Sequence, residues 1–306
     1  MNSIQLKRNA KLLGAIALLF SAAAFSSAQA PKAALATKKC LFWKAVSGPN
    51  VVYLLGSIHL ASNAVYPLPK PIDDAFAASK SMVVEVDVNK LDPASVTQYL
   101  AKGAYTDGDT LWKHLKPETT AKVKKFLAAQ DMPSDFVGSL KPWLAGVMLP
   151  LIPMMKAGAN NDNGIDKHFL DLAQGKKKIE QAETAEFQFK LLSSVPDSLG
   201  DIYVNYCVGE TEKGKTEDLK LEKLWLSGDD EMLQKVMSQY PKELEPLMNS
   251  LLRDRNPHMA DVAEKYLKTG GGPCFFVVGA AHLVGPTGVV AILQKRGYTI
   301  TRVQPN

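Results

Sequence analysis

The sequence predicts an α/β (α+β) protein, with a central mixed sheet built from the N-terminal and C-terminal parts of the chain and a largely helical middle section. Three observations support this prediction. Apolar runs rich in β-branched and aromatic residues lie near both ends, helical apolar stripes dominate roughly 91–270, and 306 residues can bury one large core. We therefore expect a single domain over residues 29–306, with 91–270 as a helical insertion.

The β-rich start of the chain is marked by turn and cap signals. Asp92 followed by Pro93 supplies an N-cap and a proline at the first helical position. The elements expected before residue 100 are a hairpin of strands 41–46 and 51–55, a short helix over 73–79, a strand over 82–88 and a helix from Pro93.

The middle and the end of the chain follow from helical stripes and glycine stops. The apolar segment 142–155 is interrupted by Pro150 and Pro153, so it is too short and broken to span a bilayer. It predicts a buried, kinked helix; the alternative is a methionine-rich wall or lid for an apolar or peptide substrate. The later elements expected are a helix over 165–173, a short strand over 178–182, helices from Thr184 and Asn256, a strand over 274–278, a helix over 287–296 and a strand over 298–303.

The first 28 residues have the build of a secretory signal peptide. Lys7, Arg8 and Lys11 precede or open an apolar stretch that runs from Leu12 to Phe20, and small residues follow up to Ala28. The stretch is too short for a comfortable membrane span. We expect cleavage near Ala28 and a periplasmic or secreted mature chain without a transmembrane span; the alternative is an uncleaved N-terminal anchor.

The charge of the mature chain argues against nucleic acid as a partner. Removing residues 1–28 takes away three positive charges and no negative ones, which lowers the formal net charge from +5 to +2. The electrostatic footprint that phosphate binding needs is then missing. The basic run 176–178 is most simply a solvated loop.

The most informative motif is a phrase that occurs twice. Val51 to Leu60 and Cys274 to Leu283 each combine an apolar strand-like run with Gly-x-x-His, which places His59 and His282 just beyond a strand. Glycine lets the backbone turn sharply or approach another group closely. Ligands bind at the carboxyl ends of strands in open α/β sheets. The matched pair therefore favours a shared site over two core histidines bonded to backbone carbonyls.

The strand over 82–88 supplies a carboxylate for the same edge. Glu85 and Asp87 are expected to point to one side, because side chains alternate along a strand. A carboxylate in an apolar strand is costly to bury unless it is paired, hydrogen-bonded or bound to metal. We expect Glu85 to face His59 and His282; the alternative is an acidic face that meets solvent or an arginine.

Two imidazoles and one carboxylate suit several catalytic divalent metals, including Zn²⁺, Mn²⁺ and Fe²⁺. Such an ion lowers the pKa of bound water and polarises a carbonyl, so hydrolysis is the natural chemistry. We expect His59, Glu85 and His282 to bind the metal, with Glu85 also catalytic. The sequence does not choose the metal, and Mn²⁺, Zn²⁺ and Co²⁺ stay open.

These motifs resemble the TraB/GumN family, which includes the Tiki proteases and is distantly similar to erythromycin esterases. The resemblance covers roughly residues 40–303. It implies an α/β fold with both Gly-x-x-His motifs at one active site and, in the Tiki branch, a metal-dependent peptidase. Besides the two phrases and Glu85, it rests on Gly164-Ile165-Asp166, Glu183-Thr184 with Gln188, Arg255-Asn256, Gly285-Pro286-x-Gly288 and Arg296-Gly297-Tyr298.

Arg255 is the best candidate for a second catalytic role, because its guanidinium could stabilise an oxyanion or bind a substrate carboxylate next to a helix start. A salt bridge to Asp254 or Glu183 is about equally favoured. The residues expected to orient the ligands are Asp87, Glu183 and Gln188. The remaining histidines are expected at the surface: His114, His168 and His258.

Two functions from different classes follow. The first is a secreted or periplasmic metal-dependent hydrolase, a peptidase acting on a peptide or protein. The alternative is a non-catalytic protein that captures a peptide or an envelope component in the same cleft.

The three cysteines allow one disulfide, and we expect any such bond to join Cys40 and Cys207. Cys274 begins a strand, and if that strand is parallel to 51–55, Cys274 lies roughly a strand length, 17–20 Å, from Cys40. That is far beyond the ~7 Å Cα separation that a disulfide tolerates.

Overall fold

The computed structural model describes residues 40–216 and 221–304, and the expected signal peptide over residues 1–28 lies outside the described residues. A six-stranded sheet with the order β4-β3-β5-β2-β1-β6 runs through its centre. The strands are β1 (Phe42–Ser47), β2 (Asn50–Ser57), β3 (Ser81–Val84), β4 (Lys178–Gln181), β5 (Cys274–Gly279) and β6 (Thr299–Arg302).

The sheet is mixed, as the sequence predicts. β1 runs antiparallel to both β2 and β6, whereas β5 is parallel to β2 on one side and to β3 on the other, and β3 is parallel to β4. All six residues of β5 are buried, which is typical of a parallel strand covered on both faces. Both ends of the chain contribute to this sheet, and the predicted fold class is confirmed.

Helices cover the sheet and build the middle of the chain. In chain order they are α1 (Lys70–Ala78), α2 (Pro93–Lys102), α3 (Pro117–Ala129), α4 (Asp135–Gly138), α5 (Pro142–Lys156), α6 (Ile165–Ala173), α7 (Ala185–Ser193), α8 (Asp197–Thr216), α9 (Leu221–Ser227), α10 (Asp230–Met237), α11 (Glu245–Met248), α12 (Asn256–Thr269), α13 (Ala280–Leu283) and α14 (Val289–Lys295). Short 3₁₀ helices occur at Asn63–Val65, Val88–Lys90, Leu111–Lys113 and Lys242–Leu244, and a π-helix covers Asn249–Arg253.

The apolar helix α5 is buried, as expected, although two of its three prolines, Pro150 and Pro153, lie in its interior. One face, including Trp143 and Met148, packs in the apolar cluster of α7 and α11. Another face, including Leu149, packs with residues of α3 and α8 such as Phe126. In the part of the chain that the structure describes, no helix combines the length and apolar character that crossing a bilayer requires.

Strand β3 is shorter than predicted, and this corrects one expectation. It ends at Val84 instead of residue 88, because the chain leaves the sheet and enters a 3₁₀ helix at Val88. The Asp87 carboxylate accepts a hydrogen bond from the backbone amide of Asn89 and so caps that helix. Glu85 and Asp87 therefore do not share one face of a strand.

The cysteines are buried and form no disulfide within the described residues. The expected bond between Cys40 and Cys207 is thus not formed. The strand arrangement behind that expectation is confirmed: Cys274 pairs with Val52 at the start of β2, while Phe42 pairs with Leu55 near its end.

Candidate active site

The three expected ligands leave the sheet at neighbouring strand ends. His59 follows β2, Glu85 follows β3 and His282 follows β5. Because these three strands are parallel and adjacent, their carboxyl ends meet at one edge, where α/β sheets bind ligands. The Nε2 atom of His282 lies 3.9 Å from Oε1 of Glu85. Sequence signals that are up to 223 positions apart thus meet in space.

Glycines allow the close packing of this edge. A Cβ atom on Gly56 would lie 3.0 Å from the Cα of Ala280, so the first phrase packs directly against the second. A Cβ atom on Gly164 would lie 2.3 Å from the carbonyl oxygen of His59. Neither position has room for a larger residue without backbone movement, because carbon atoms repel strongly below about 3.5 Å.

His59 is held by a carboxylate. Its Nδ1 atom lies 3.0 Å from Oδ1 of Asp166, in the first turn of α6, and the Ile165 amide donates to the Ile58 carbonyl at 3.0 Å. Burial lowers the pKa of His59, but the charge and hydrogen bond of Asp166 outweigh burial and raise it above its usual value. Both contacts fasten α6 to the first phrase.

His282 is held by an amide. Its Nδ1 atom lies 2.7 Å from Oδ1 of Asn256, and the Asn256 amide nitrogen donates to the Thr287 carbonyl at 2.8 Å. Because that carbonyl can only accept, the Asn256 oxygen faces His282 and accepts from its Nδ1–H. Complete burial, followed by the nearby Arg255 charge, lowers the pKa of His282 to about 3. The ring is therefore neutral, with its lone pair on Nε2.

Glu85 is buried and ionised. Its Oε1 accepts from the Gly279 amide at 2.5 Å, and its Oε2 accepts from Gln188 at 3.2 Å and from Arg255 at 3.1 Å. Burial raises the pKa of Glu85, but the polar and charged surroundings formed by His282, Arg255, His59 and the amide lower it to about 2. The carboxylate keeps its charge at neutral pH.

Arg255 pairs with two carboxylates. Its Nε and Nη2 atoms donate to Glu183 at 2.8 and 2.5 Å, Nη2 also reaches Glu85, and Nη1 donates to the Leu251 carbonyl of the π-helix at 2.7 Å. Gln188 adds a hydrogen bond to Glu183 at 2.9 Å. The alternative of a salt bridge to Glu183 is therefore what the structure shows, and Arg255 positions Glu85.

Of the three residues expected to orient the ligands, two contact this cluster and one does not. Gln188 bonds Glu85 directly, and Glu183 acts on it through Arg255 and Gln188. The Asp87 carboxylate instead bonds the Asn89 amide and lies 3.0 Å from the Lys90 ammonium. β3 has already ended before Asp87, so the Asp87 carboxylate faces away from the cluster. The structure therefore contradicts the expected contact between Asp87 and the ligands.

A small cavity lies beside His59 and Glu85, and His282 is not among the residues that line it. Its volume is about 10 Å³ and its lining includes Ser57, His59, Glu85, Asp166 and Gln188. That volume is close to the lower limit for one water molecule. Among the described residues, the Nε2 atoms of both site histidines and the Ser57 hydroxyl are buried and have no hydrogen-bond partner. Leaving such a group unpaired costs about 1–3 kcal/mol, which points to an occupant.

The donor chemistry fits a metal ion. Two imidazoles present unpartnered Nε2 atoms beside an ionised carboxylate, and each Nδ1 is fixed by a polar group, as metal-binding histidines usually are. The 3.9 Å between Nε2 of His282 and Oε1 of Glu85 is wider than a bound ion imposes. Two ligand atoms that each lie about 2.1 Å from a tetrahedral ion are about 3.4 Å apart. Accordingly, within residues 40–216 and 221–304 no group of three or more His, Cys, Asp or Glu side chains is spaced to hold a metal.

The other histidines lie elsewhere. His114 bonds Asp109 at 2.8 Å, the His168 ring lies 4.9 Å from the Tyr66 ring, and His258 bonds the Ala182 carbonyl at 2.8 Å. His258 is exposed as expected, whereas His114 and His168 are half-buried.

Sequence reasoning gave no individual role to three residues of the site, although all three stand in the motifs that carry the family resemblance: Ser57, Asp166 and Asn256. Asp166 could have been recognised because it is the one carboxylate in the first turn of a helix whose buried stripe is otherwise apolar. Asn256 lies at the start of a helix and is buried, whereas polar residues at helix starts are usually exposed. Their pairing with His59 and His282 has no local sequence signal.

The fold and this strand-edge site define an α/β protein with paired Gly-x-x-His motifs. The model of the TraB/PrgY/gumN family matches residues 41–302, and the chain belongs to that family. The chain is 24% identical over 160 residues to "Uncharacterized protein YbaP" of Escherichia coli (strain K12), and equally to that of Shigella flexneri. Each match covers 51% of this chain and 58% of the relative, which is less than two thirds of its length. No solved structure matches the chain.

Proposed function

We propose that this protein is a metal-dependent hydrolase that acts on a peptide or protein. The observation that carries the proposal is the pair of buried histidines beside Glu85, each with Nδ1 held by a polar side chain and with Nε2 unpartnered among the described residues. His59, Glu85 and His282 would hold the ion, which is Mn²⁺, Zn²⁺ or Co²⁺.

The charge of the site supports a cation. With both histidines neutral, as metal ligands must be, three buried carboxylates, Glu85, Asp166 and Glu183, face one guanidinium, that of Arg255, which leaves a formal charge of −2. Unbalanced charge is expensive to bury. A divalent cation would balance this set, and a bound peptide alone would not.

The residues of the chain would divide the work. When bound, the ion supplies a water of lowered pKa and polarises the substrate carbonyl. Asp166 and Asn256 hold the Nδ1–H groups and thereby keep the Nε2 lone pairs available. Arg255 and Gln188 keep Glu85 charged and fixed, so that the carboxylate can bind the ion or accept a proton from water.

The peptide as substrate class, and the periplasm or exterior as location, are further parts of the proposal. The substrate class is supported by the resemblance to the Tiki branch, and the location by the sequence of residues 1–28. The alternative function is capture of a peptide in the same cleft without turnover.

Metal analysis of the purified mature chain, combined with turnover of a fluorogenic peptide library, tests the proposal. We expect about one ion per chain and hydrolysis that chelation removes. Replacing His59, Glu85 or His282 by alanine should lower metal occupancy and turnover by about 100-fold or more, since ligands of one ion act together. The matched controls His114→Ala and His168→Ala should change neither quantity.

Circular dichroism checks the folding of each variant. We expect all of them to fold, because a chain of this size has a core that does not depend on the ion. Full metal binding by the His59→Ala, His282→Ala double variant would falsify the shared centre. Saturable peptide binding without turnover in the metal-loaded protein would favour the capture function instead.

A further inference from the structure

A second cavity lies between α2 and α7, with a volume of about 160 Å³; we call it the aromatic pocket. Its lining combines the edges of the Tyr99, Phe189 and Trp143 rings with four polar or charged side chains, those of Lys102, Glu186, Lys190 and Ser193. The Tyr99 and Phe189 rings stack with their centroids 4.5 Å apart at an angle of 13°. A cavity of about 150 Å³ with apolar walls is large enough for benzene. The aromatic pocket therefore has room for one aromatic ring.

The rim of the aromatic pocket carries more positive than negative charge. Lys102 and Lys190 contribute two exposed ammonium groups, and Glu186 contributes one carboxylate. The Lys102 ammonium lies 5.4 Å from the centre of the Tyr99 ring, a cation–π distance that keeps it over the pocket. This rim complements a ligand whose ring is next to an anionic group.

Helix α7 connects the aromatic pocket to the candidate active site. Glu186, Lys190 and Ser193 are spaced by one helical turn and line the pocket, whereas Gln188 faces away from it and bonds Glu85. The helix between the two sites is about 10 Å wide, so a ligand that reaches both must pass around it and be longer than a single residue. A ligand that occupies both sites must therefore be a chain.

We infer that the aromatic pocket binds the C-terminal aromatic residue of a peptide. The ring packs on the edges of the stacked Tyr99 and Phe189 rings and of Trp143, and the terminal carboxylate meets the ammonium groups of Lys102 and Lys190. The choice of a peptide over a free aromatic acid rests on the proposed function; the binding itself needs no metal.

Fluorescence anisotropy with the full mature chain in a chelating buffer tests this inference. The probe is an N-terminally labelled Ala-Ala-Ala-Ala-Phe peptide with a free carboxylate. An otherwise identical peptide that ends in alanine should bind about 10- to 100-fold more weakly, because a phenyl ring is no longer buried. Amidation of the Phe peptide should weaken binding roughly fivefold, since the ion pairs are partly exposed.

Two variants locate the binding. Ser193→Tyr fills the aromatic pocket and should weaken binding of the Phe peptide to the level of the Ala peptide, whereas the neighbouring Ser194→Tyr should not. Lys190→Gln should remove most of the preference for the free carboxylate, and the remote Lys176→Gln should leave it intact. Both serines and both lysines are exposed, so these variants are expected to fold.

Equal binding of the Phe and Ala peptides, or unchanged binding by Ser193→Tyr, would overturn the inference. Displacement of the peptide by an equal concentration of 3-phenylpropionate would overturn its peptide part, because the pocket would then prefer the free acid. Peptide binding that persists in a protein without hydrolytic activity would leave the inference standing and count against the proposed function alone.

Discussion

The two Gly-x-x-His motifs share a sequence phrase, a strand end and an edge of the sheet, yet the pKa values of their histidines are shifted in opposite directions. His59 faces the carboxylate of Asp166, which raises its pKa despite burial. His282 faces the amide of Asn256 and is fully buried near Arg255, and its pKa falls to about 3. The comparison shows that the repeated phrase fixes the location of each imidazole, whereas its surroundings set its pKa: the Asp166 carboxylate raises that of His59, and complete burial near Arg255 lowers that of His282.

The choice of an amide at the second motif has a physical reason. Asn256 must accept a hydrogen bond from His282 and donate one to the Thr287 carbonyl at the same time. A carboxylate cannot donate while it is ionised. Asp166 has no such second duty among its described bonds, so a charge is tolerated at the first motif.

The largest expected effect on the free energy of unfolding comes from removing the buried guanidinium of Arg255. Arg255→Met should destabilise the fold by about 3–5 kcal/mol, because Glu85 and Glu183 would be left as buried charges without their guanidinium. Urea unfolding measures this loss. In the surviving folded protein, histidine NMR titration should show the pKa of His282 moving up toward that of His59.

Arg253→Met is the control for this variant, since Arg253 is exposed two positions earlier. It should change the free energy of unfolding by no more than about 0.5 kcal/mol. Similar losses of unfolding free energy in the two variants would show that the buried ion pairs of Arg255 contribute no more to stability than an exposed arginine does.

An intermediate effect is expected when the second motif is made like the first. Asn256→Asp should cost about 1–3 kcal/mol, because the new carboxylate cannot donate to the Thr287 carbonyl and the two oxygens face each other. Thermal or urea unfolding at pH 7 gives the value. If Asn256→Asp proved as stable as the parent, the explanation of the amide would be wrong.

The smallest effect is expected when the first motif is made like the second. In Asp166→Asn the amide oxygen can still accept from His59, so the ring keeps its orientation and loses the nearby charge. We expect metal affinity to fall by about 10-fold, the low end for a residue that supports a ligand, and the pKa of His59 to drop below its parent value. Calorimetric metal titration measures the first change. An unaltered affinity would remove Asp166 from the centre.

Much of the fold could be predicted because its signals are local. The hairpin, the Asp92 cap, the buried helix α5 and the strand before His282 each follow from runs, caps and prolines within a few residues. The early end of β3 could not, because the groups that the Glu85 carboxylate bonds, on Gly279, Gln188 and Arg255, lie at remote positions in the sequence. For the same reason Asp87 was assigned a role that it does not have.

The candidate site shows the same division. The paired phrase and the lone carboxylate located His59, His282 and Glu85, since parallel strands bring their carboxyl ends together. Asp166 and Asn256 escaped because they lie 107 and 26 positions from the histidines that they bond. Such pairings depend on how α6 and α12 pack on the sheet, which no single stretch of sequence contains.

The π-helix at Asn249–Arg253 sets a limit on how the chain length can vary. A π turn holds one residue more than an α turn, and Arg255 lies two positions after its last residue. Deleting one residue there would restore an α-helix and rotate the preceding segment relative to α12 by about 100°, which would separate the Leu251 carbonyl from the guanidinium that it accepts from. Relatives that keep this arginine should therefore show substitutions in the segment, while insertions and deletions should fall outside it.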